Sequence, residues 1–131
     1  MLKGIGASQG FGIGKAVVIR DTNLDYSSVK FTDSNHQKKR LHSAVADFSD
    51  ETKSLVAELK KNAGNKEAEI LEGHLVMLED PFMLSHMEEA IDYCSVAETA
   101  VNSISTMFIN MFSGGDDELT RQRASDVKAI R

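Results

Sequence analysis

Residues Lys66 to Met83 read KEAEILEGHLVMLEDPFM, and the periodicity of this stretch decides the fold class. Ala68, Leu71, Leu75 and Leu78 recur at three- and four-residue steps, the apolar stripe of a core-facing helix. Ile70, His74 and Met77 recur at steps of four and three, on a stripe turned by ~100° per residue of offset. One stripe can face a bundle core. The other is either a wider core contact or a docking surface. Asp80-Pro81 then breaks the helix and starts a new one, with aspartate as N-cap and proline at the first helical position.

Downstream the helical pattern continues. Met83, Leu84, Met87, Ile91 and Cys94 share one face, and Cys94 reads most simply as a core residue. Ala97, Val101, Ile104, Phe108, Met111 and Phe112 make the next stripe, closed by Ser113-Gly114-Gly115. Asp116, Asp117 and Glu118 put negative charge where a helix dipole favours it, and Leu119, Arg123, Val127 and Ile130 carry that helix to the last residue without a C-cap signal. Upstream, Leu41, Ala44 or Val45, Phe48, Leu55 and Leu59 mark a long first helix that closes near Asn62-Ala63-Gly64.

The first twenty residues differ. They hold five of the nine glycines, followed by Ala16-Val17-Val18-Ile19. Glycine density disfavours helix and the β-branched run favours strand, so 1–20 reads as a glycine-bent strand and 21–33 as a linker. The expected fold is all-α: a bundle of about four helices, one interrupted, over 34–131, preceded by the short strand segment. A lone strand makes no stable sheet, so the chain reads as a piece of a longer protein.

Composition narrows the function. The chain has 131 residues, 41% of them hydrophobic, enough for one domain with a real core. A net charge of -5 and the absence of tryptophan argue against nucleic acid or anionic lipid as main partner, and suit a basic protein instead. No apolar run is long enough to span a membrane, and the N-terminus lacks the apolar core of a secretory signal. A single cysteine fits a reducing, cytoplasmic setting.

Chemistry-bearing motifs fail one by one. A phosphate loop ending in Gly14-Lys15 would need glycine at position 9 and Ser or Thr at 16, where the chain has Gln9 and Ala16. The dinucleotide pattern lacks its preceding strand. His36, His42, His74 and His86 show no metal-ligand spacing, and Glu72 and His74 lie on divergent helix faces. His74 therefore reads as a surface or docking histidine. No catalytic, cofactor or metal site is assigned.

Three segments together resemble Enzyme I of the bacterial phosphoenolpyruvate-dependent sugar phosphotransferase system. They are LKGIGASQGFGIGKAVVI at the start, EAEILEGHLVMLEDP from Glu67 to Pro81, and DDELTRQRASDVKAI from Asp116 to Ile130, in the family's order and spacing. The resemblance implies that 1–20 is the first strand of an α/β phosphohistidine domain and 34–131 an inserted helical domain that docks the phosphocarrier HPr. It also implies that the active histidine, in a GG-x-(T/S)-H segment, and the barrel that binds phosphoenolpyruvate and magnesium both belong to the remainder of Enzyme I beyond residue 131. The stretch in hand should then have no phosphotransferase activity by itself.

The family's contact positions carry over one at a time. His74 falls on the histidine of the family's helix and Met77 on the apolar residue one turn later. Val76, Asp80, Met83 and Arg123 fall on positions like those of the contact surface, and Phe112 on an apolar contact near a helix end. Where some members have glutamates, this chain has Asn65, Lys66 and, after the Asp-Pro step, Phe82. The implied contact is more apolar and less charged. Two other accounts remain: a paralogue serving nitrogen regulation or another kinase system, and a bundle that self-associates through its second stripe.

Overall fold

The computed structural model describes residues 5, 9–10, 13–15, 17–18, 25–62 and 64–131. Its elements are α1 (Ser34–Asn62), α2 (Asn65–Leu78), α3 (Pro81–Asp92), α4 (Ala97–Ser113) and α5 (Glu118–Ile130). No strand occurs among the described residues. Helix α1, with 29 residues, is about 43 Å long and forms a spine against α2, α3 and α4. Helix α5 lies along α4 and reaches α2.

Each helix starts for a local reason. At α1, Asp33 Oδ1 accepts from the His36 amide at 2.8 Å. Helix α2 begins after Gly64, whose φ of 128° and ψ of 175° suit glycine alone, so the long α1 can fold back into an antiparallel α2. The pairs Lys60–Glu72 at 2.6 Å and Ser49–Glu79 at 2.7 Å mark that antiparallel register. Asp80 caps α3, its Oδ1 accepting from Phe82 N at 2.8 Å and Met83 N at 3.2 Å, with Pro81 at the first turn. Asp117 caps α5, accepting from Thr120 N at 2.8 Å and from its hydroxyl at 2.6 Å.

Helix α4 is different. Its N-cap, Val96, offers no side-chain acceptor. The acceptor comes from α1: Gln37, 1% exposed, receives the Ala97 amide on Oε1 at 3.1 Å and Arg40 Nη1 on the same oxygen at 2.8 Å. Arg40 in turn donates to both carboxylate oxygens of Glu98, one of them at 3.2 Å.

The main core joins Leu41, Met83, Met87, Ile91, Ala97, Ala100, Phe108 and Val127, with Val45, Met77, Leu84 and Ile104 packed against it. The stripe Ala68, Leu71, Leu75, Leu78 faces inward: Ala68 and Leu75 are buried, Leu71 and Leu78 partly so. Two expectations change. On α1 the buried register runs through Ser49, Thr52 and Val56, one step from Leu55, which stays 47% exposed; small hydroxyl residues occupy the inner face there. Cys94 is exposed rather than core, because α3 ends at Asp92 and Cys94 turns into the left-handed region at φ 64°. The glycine-bent strand falls largely on residues outside those described; Ile5, Ile13, Val17 and Val18 are exposed and in no strand. Most of the linker, 25–33, is irregular, with a turn closed by Val29 N to Tyr26 O at 3.0 Å; 21–24 lie outside the described residues.

Candidate functional site

Where α2 gives way to α3, the capped break at Asp80 exposes the ends of both helices beside the C-terminal half of α4 and the middle of α5. A groove of about 430 Å³ opens there. Met83, Phe108 and Val127 line it from the buried core; Met77 and Phe112 line it while half-buried. Val76, Phe82 and Met111 stand at its mouth, 71%, 61% and 54% exposed, far above what isolated core-facing helices would leave open. The aromatic rings interlock: Phe82 meets Phe108 edge-on at 5.9 Å and His86 edge-on at 4.5 Å, and Phe108 meets Phe112 at 5.9 Å. Asp80 and Arg123 bring one negative and one positive charge to an otherwise apolar lining.

Seven of the eight residues singled out in the sequence line this one groove: Val76, Met77, Asp80, Phe82, Met83, Phe112 and Arg123. His74 does not. Its side chain is only 14% exposed and lies between α2 and α5, with Nε2 3.6 Å from Asp126 Oδ1. The surface reading of His74 is thus corrected, since α5 covers the helix face it shares with Ile70 and leaves only Ile70 open, at 61%. Met83 is likewise a core residue, 3% exposed, because its place in the first turn of α3 points it inward beneath Phe82. Asp80 is at once a rim charge and the cap of α3, so its carboxylate is held by two backbone amides.

Phe108, Met111 and Val127 complete the lining, and the sequence assigned the first two to the core stripe of α4 and the third to that of α5. Phe108, Met111 and Phe112 stand at i, i+3 and i+4, the spacing of an ordinary buried face, so no local signal set them apart from the core.

Two carboxyls at helix ends are held in the charged form. Glu79 is held below the usual carboxylate range, first by the Ser49 hydroxyl and then by the Lys53 charge. Asp117 is lowered chiefly by its hydrogen bonds from the Thr120 hydroxyl and amide. Among the described residues, no three or more His, Cys, Asp or Glu side chains converge to hold a metal ion. No helix among the described residues is long and apolar enough to cross a membrane. A larger open concavity of about 1520 Å³ lies beside residues 25–29, α1, α4 and α5, and its walls mix apolar residues such as Leu41 and Val101 with the charges of Arg40, Asp47, Glu98 and Lys128.

Residues 3–123 match the family described as PEP-utilising enzyme, N-terminal. The chain belongs to that family. Along its length it is similar to the phosphoenolpyruvate-protein phosphotransferases of Listeria innocua, 37% identical over 131 residues, and Bacillus subtilis, 35% identical over 130. These alignments take in 99% and 98% of the chain but 23% of each relative, so the chain spans under a quarter of the length of the family members it matches. Its fold is that of a solution structure of an Enzyme I protein, with a TM-score of 0.71 at 22% identity, over 88% of this chain and 45% of that one. The resemblance drawn from three segments thus extends over the whole family match.

Proposed function

We propose that residues 34–131 form the docking domain through which a phosphoenolpyruvate-protein phosphotransferase engages the phosphocarrier HPr during phosphoryl transfer for sugar uptake. In this reading 1–20 supplies the first strand of the α/β phosphohistidine domain, 21–33 links the two, and the protein works in the cytoplasm. The observation that carries it is the groove. Residues scattered over α2, α3, α4 and α5 share one apolar concavity whose mouth is left open by Val76, Phe82 and Met111. An apolar, aromatic-lined patch with a few charges at its edge is the anatomy of a protein-docking site. The net charge of -5, with Glu79 and Asp117 held ionised, favours a basic partner and would hasten its encounter. No histidine lines this groove, and His86 beside it is engaged edge-on by Phe82 and by Glu89 at 3.3 Å. Docking, and not transfer, is the role of this segment.

The test is a titration of labelled HPr against the wild-type chain and two variants. Phe82→Ala removes the most exposed ring at the groove mouth and should weaken binding by about 1–3 kcal/mol. Leu119→Ala removes an apolar side chain that is 75% exposed but outside the groove, and should bind like wild type. Circular dichroism confirms that both fold. Equal loss in both variants, or none in Phe82→Ala, would refute the groove as the docking surface. Self-association through the same face would instead appear as a concentration-dependent mass without HPr.

A further inference from the structure

Five of the six methionines lie in α2, α3 and α4, and their surroundings divide them sharply. Met83 and Met87 are 3% exposed in the core. Met77 is half-buried in the groove. Met111 is 54% exposed and lines the groove mouth, whereas Met107, one turn earlier on α4 and 45% exposed, lies outside the groove. A thioether reacts with a peroxide according to its access to solvent. Met107 and Met111 therefore have similar reactivity but stand on opposite sides of a functional boundary.

We propose that Met111 is an oxidation site that switches the docking groove off, a regulation that rests on the docking reading above. In the step, the Met111 sulfur attacks one oxygen of a hydroperoxide and the O–O bond breaks. A sulfur–oxygen bond forms, sulfur loses two electrons to the peroxide, and the second oxygen leaves as water or alcohol with the transferred proton. The product is a sulfoxide, polar and strongly hydrogen-bonding, set into a lining made of Phe82, Phe108, Phe112 and Met77. In the whole lining only Arg123 carries a side chain that can donate to the new oxygen. Free in water the sulfoxide is fully solvated; beneath a docked partner it loses that water, with Arg123 the one donor the groove offers in exchange. Oxidation thus leaves the bundle folded, since Met83 and Met87 are shielded, while it disfavours docking. A methionine sulfoxide reductase would reverse it.

The experiment treats the folded chain with hydrogen peroxide, follows each methionine by peptide mass spectrometry, and titrates HPr before and after. Met107 and Met111 should gain one oxygen much faster than Met83 and Met87. HPr affinity should fall by about tenfold in wild type and in Met107→Leu, stay unchanged in Met111→Leu, and return after reductase treatment. Met111 oxidising no faster than Met83 would overturn the site. Met111 sulfoxide that binds HPr as tightly as the thioether, or loss of binding that persists in Met111→Leu, would overturn the switch. If the untreated chain does not bind HPr at all, the docking reading and the switch fall together, and the relative oxidation rates still decide the site.

Discussion

Replacing Gln37 by leucine should cost this bundle about 2–3 kcal/mol, although Gln37 touches neither groove nor solvent. Helix α4 begins at Ala97 with an N-cap, Val96, that offers its orphan amides no side-chain acceptor. Gln37 reaches over from α1 to accept the Ala97 amide at 3.1 Å, in a place where Ala97 itself is 7% exposed. Leucine fills a similar volume but accepts nothing. The stranded amide then carries a desolvation penalty of about 1–3 kcal/mol. Arg40 also loses the acceptor that aims it at Glu98, a partly exposed pair worth about 0.5 kcal/mol more. The sum is a sizeable share of the ~5–15 kcal/mol typical of whole domains. Urea unfolding followed by circular dichroism measures it, and thermal melting should show a drop of roughly 10 °C. Gln37→Glu keeps an acceptor for both donors and should lose less. If Gln37→Leu lies within about 0.5 kcal/mol of wild type, water serves Ala97 equally well and the cross-helix cap is not what starts α4.

Other perturbations test other joints. Stability should hold from neutral pH to about pH 5 and decline below about pH 4, because Glu98 is lowered first by its hydrogen bond from Arg40: its contribution is complete above the ordinary glutamate value and disappears as pH falls through the lowered one. Glu98→Gln should flatten that acid limb in a pH series of urea melts. Asp80→Asn should keep the cap of α3 and thus the stability, while Asp80→Ala should lose about 1 kcal/mol; a shift in HPr association rate shared by both variants would isolate the rim charge from the cap. Gly115→Ala should destabilise by about 1–3 kcal/mol in the same melts, since its new methyl would lie 2.8 Å from the Thr120 Cβ that Asp117 holds in place.

How far the sequence could be read follows from which interactions are local. The break at Asp80-Pro81 was legible because cap, proline and pre-proline restriction all act within three residues, and the structure turns there on two hydrogen bonds that Asp80 accepts from the amides of Phe82 and Met83. The end of α1 was legible because Gly64 alone tolerates φ 128°. What failed is non-local. Nothing near Cys94 in sequence stops α3 two residues earlier, and nothing near His74 announces that α5, some fifty residues on, will cover it with Asp126. Gln37 has the composition of a solvent-facing helix residue and becomes buried only because α4 needs an acceptor sixty positions away. The groove combines both cases. Of its residues on α2 and α3, Met77 was visible in the surplus stripe and Val76, Asp80, Phe82 and Met83 only through the family resemblance, whereas Phe108 and Met111 looked like one more core face. They line an opening because α4 packs on α3 and α5 but not on α2, so where α2 breaks into α3 at Asp80 the space between the end of α2 and the C-terminal half of α4 stays open to a partner.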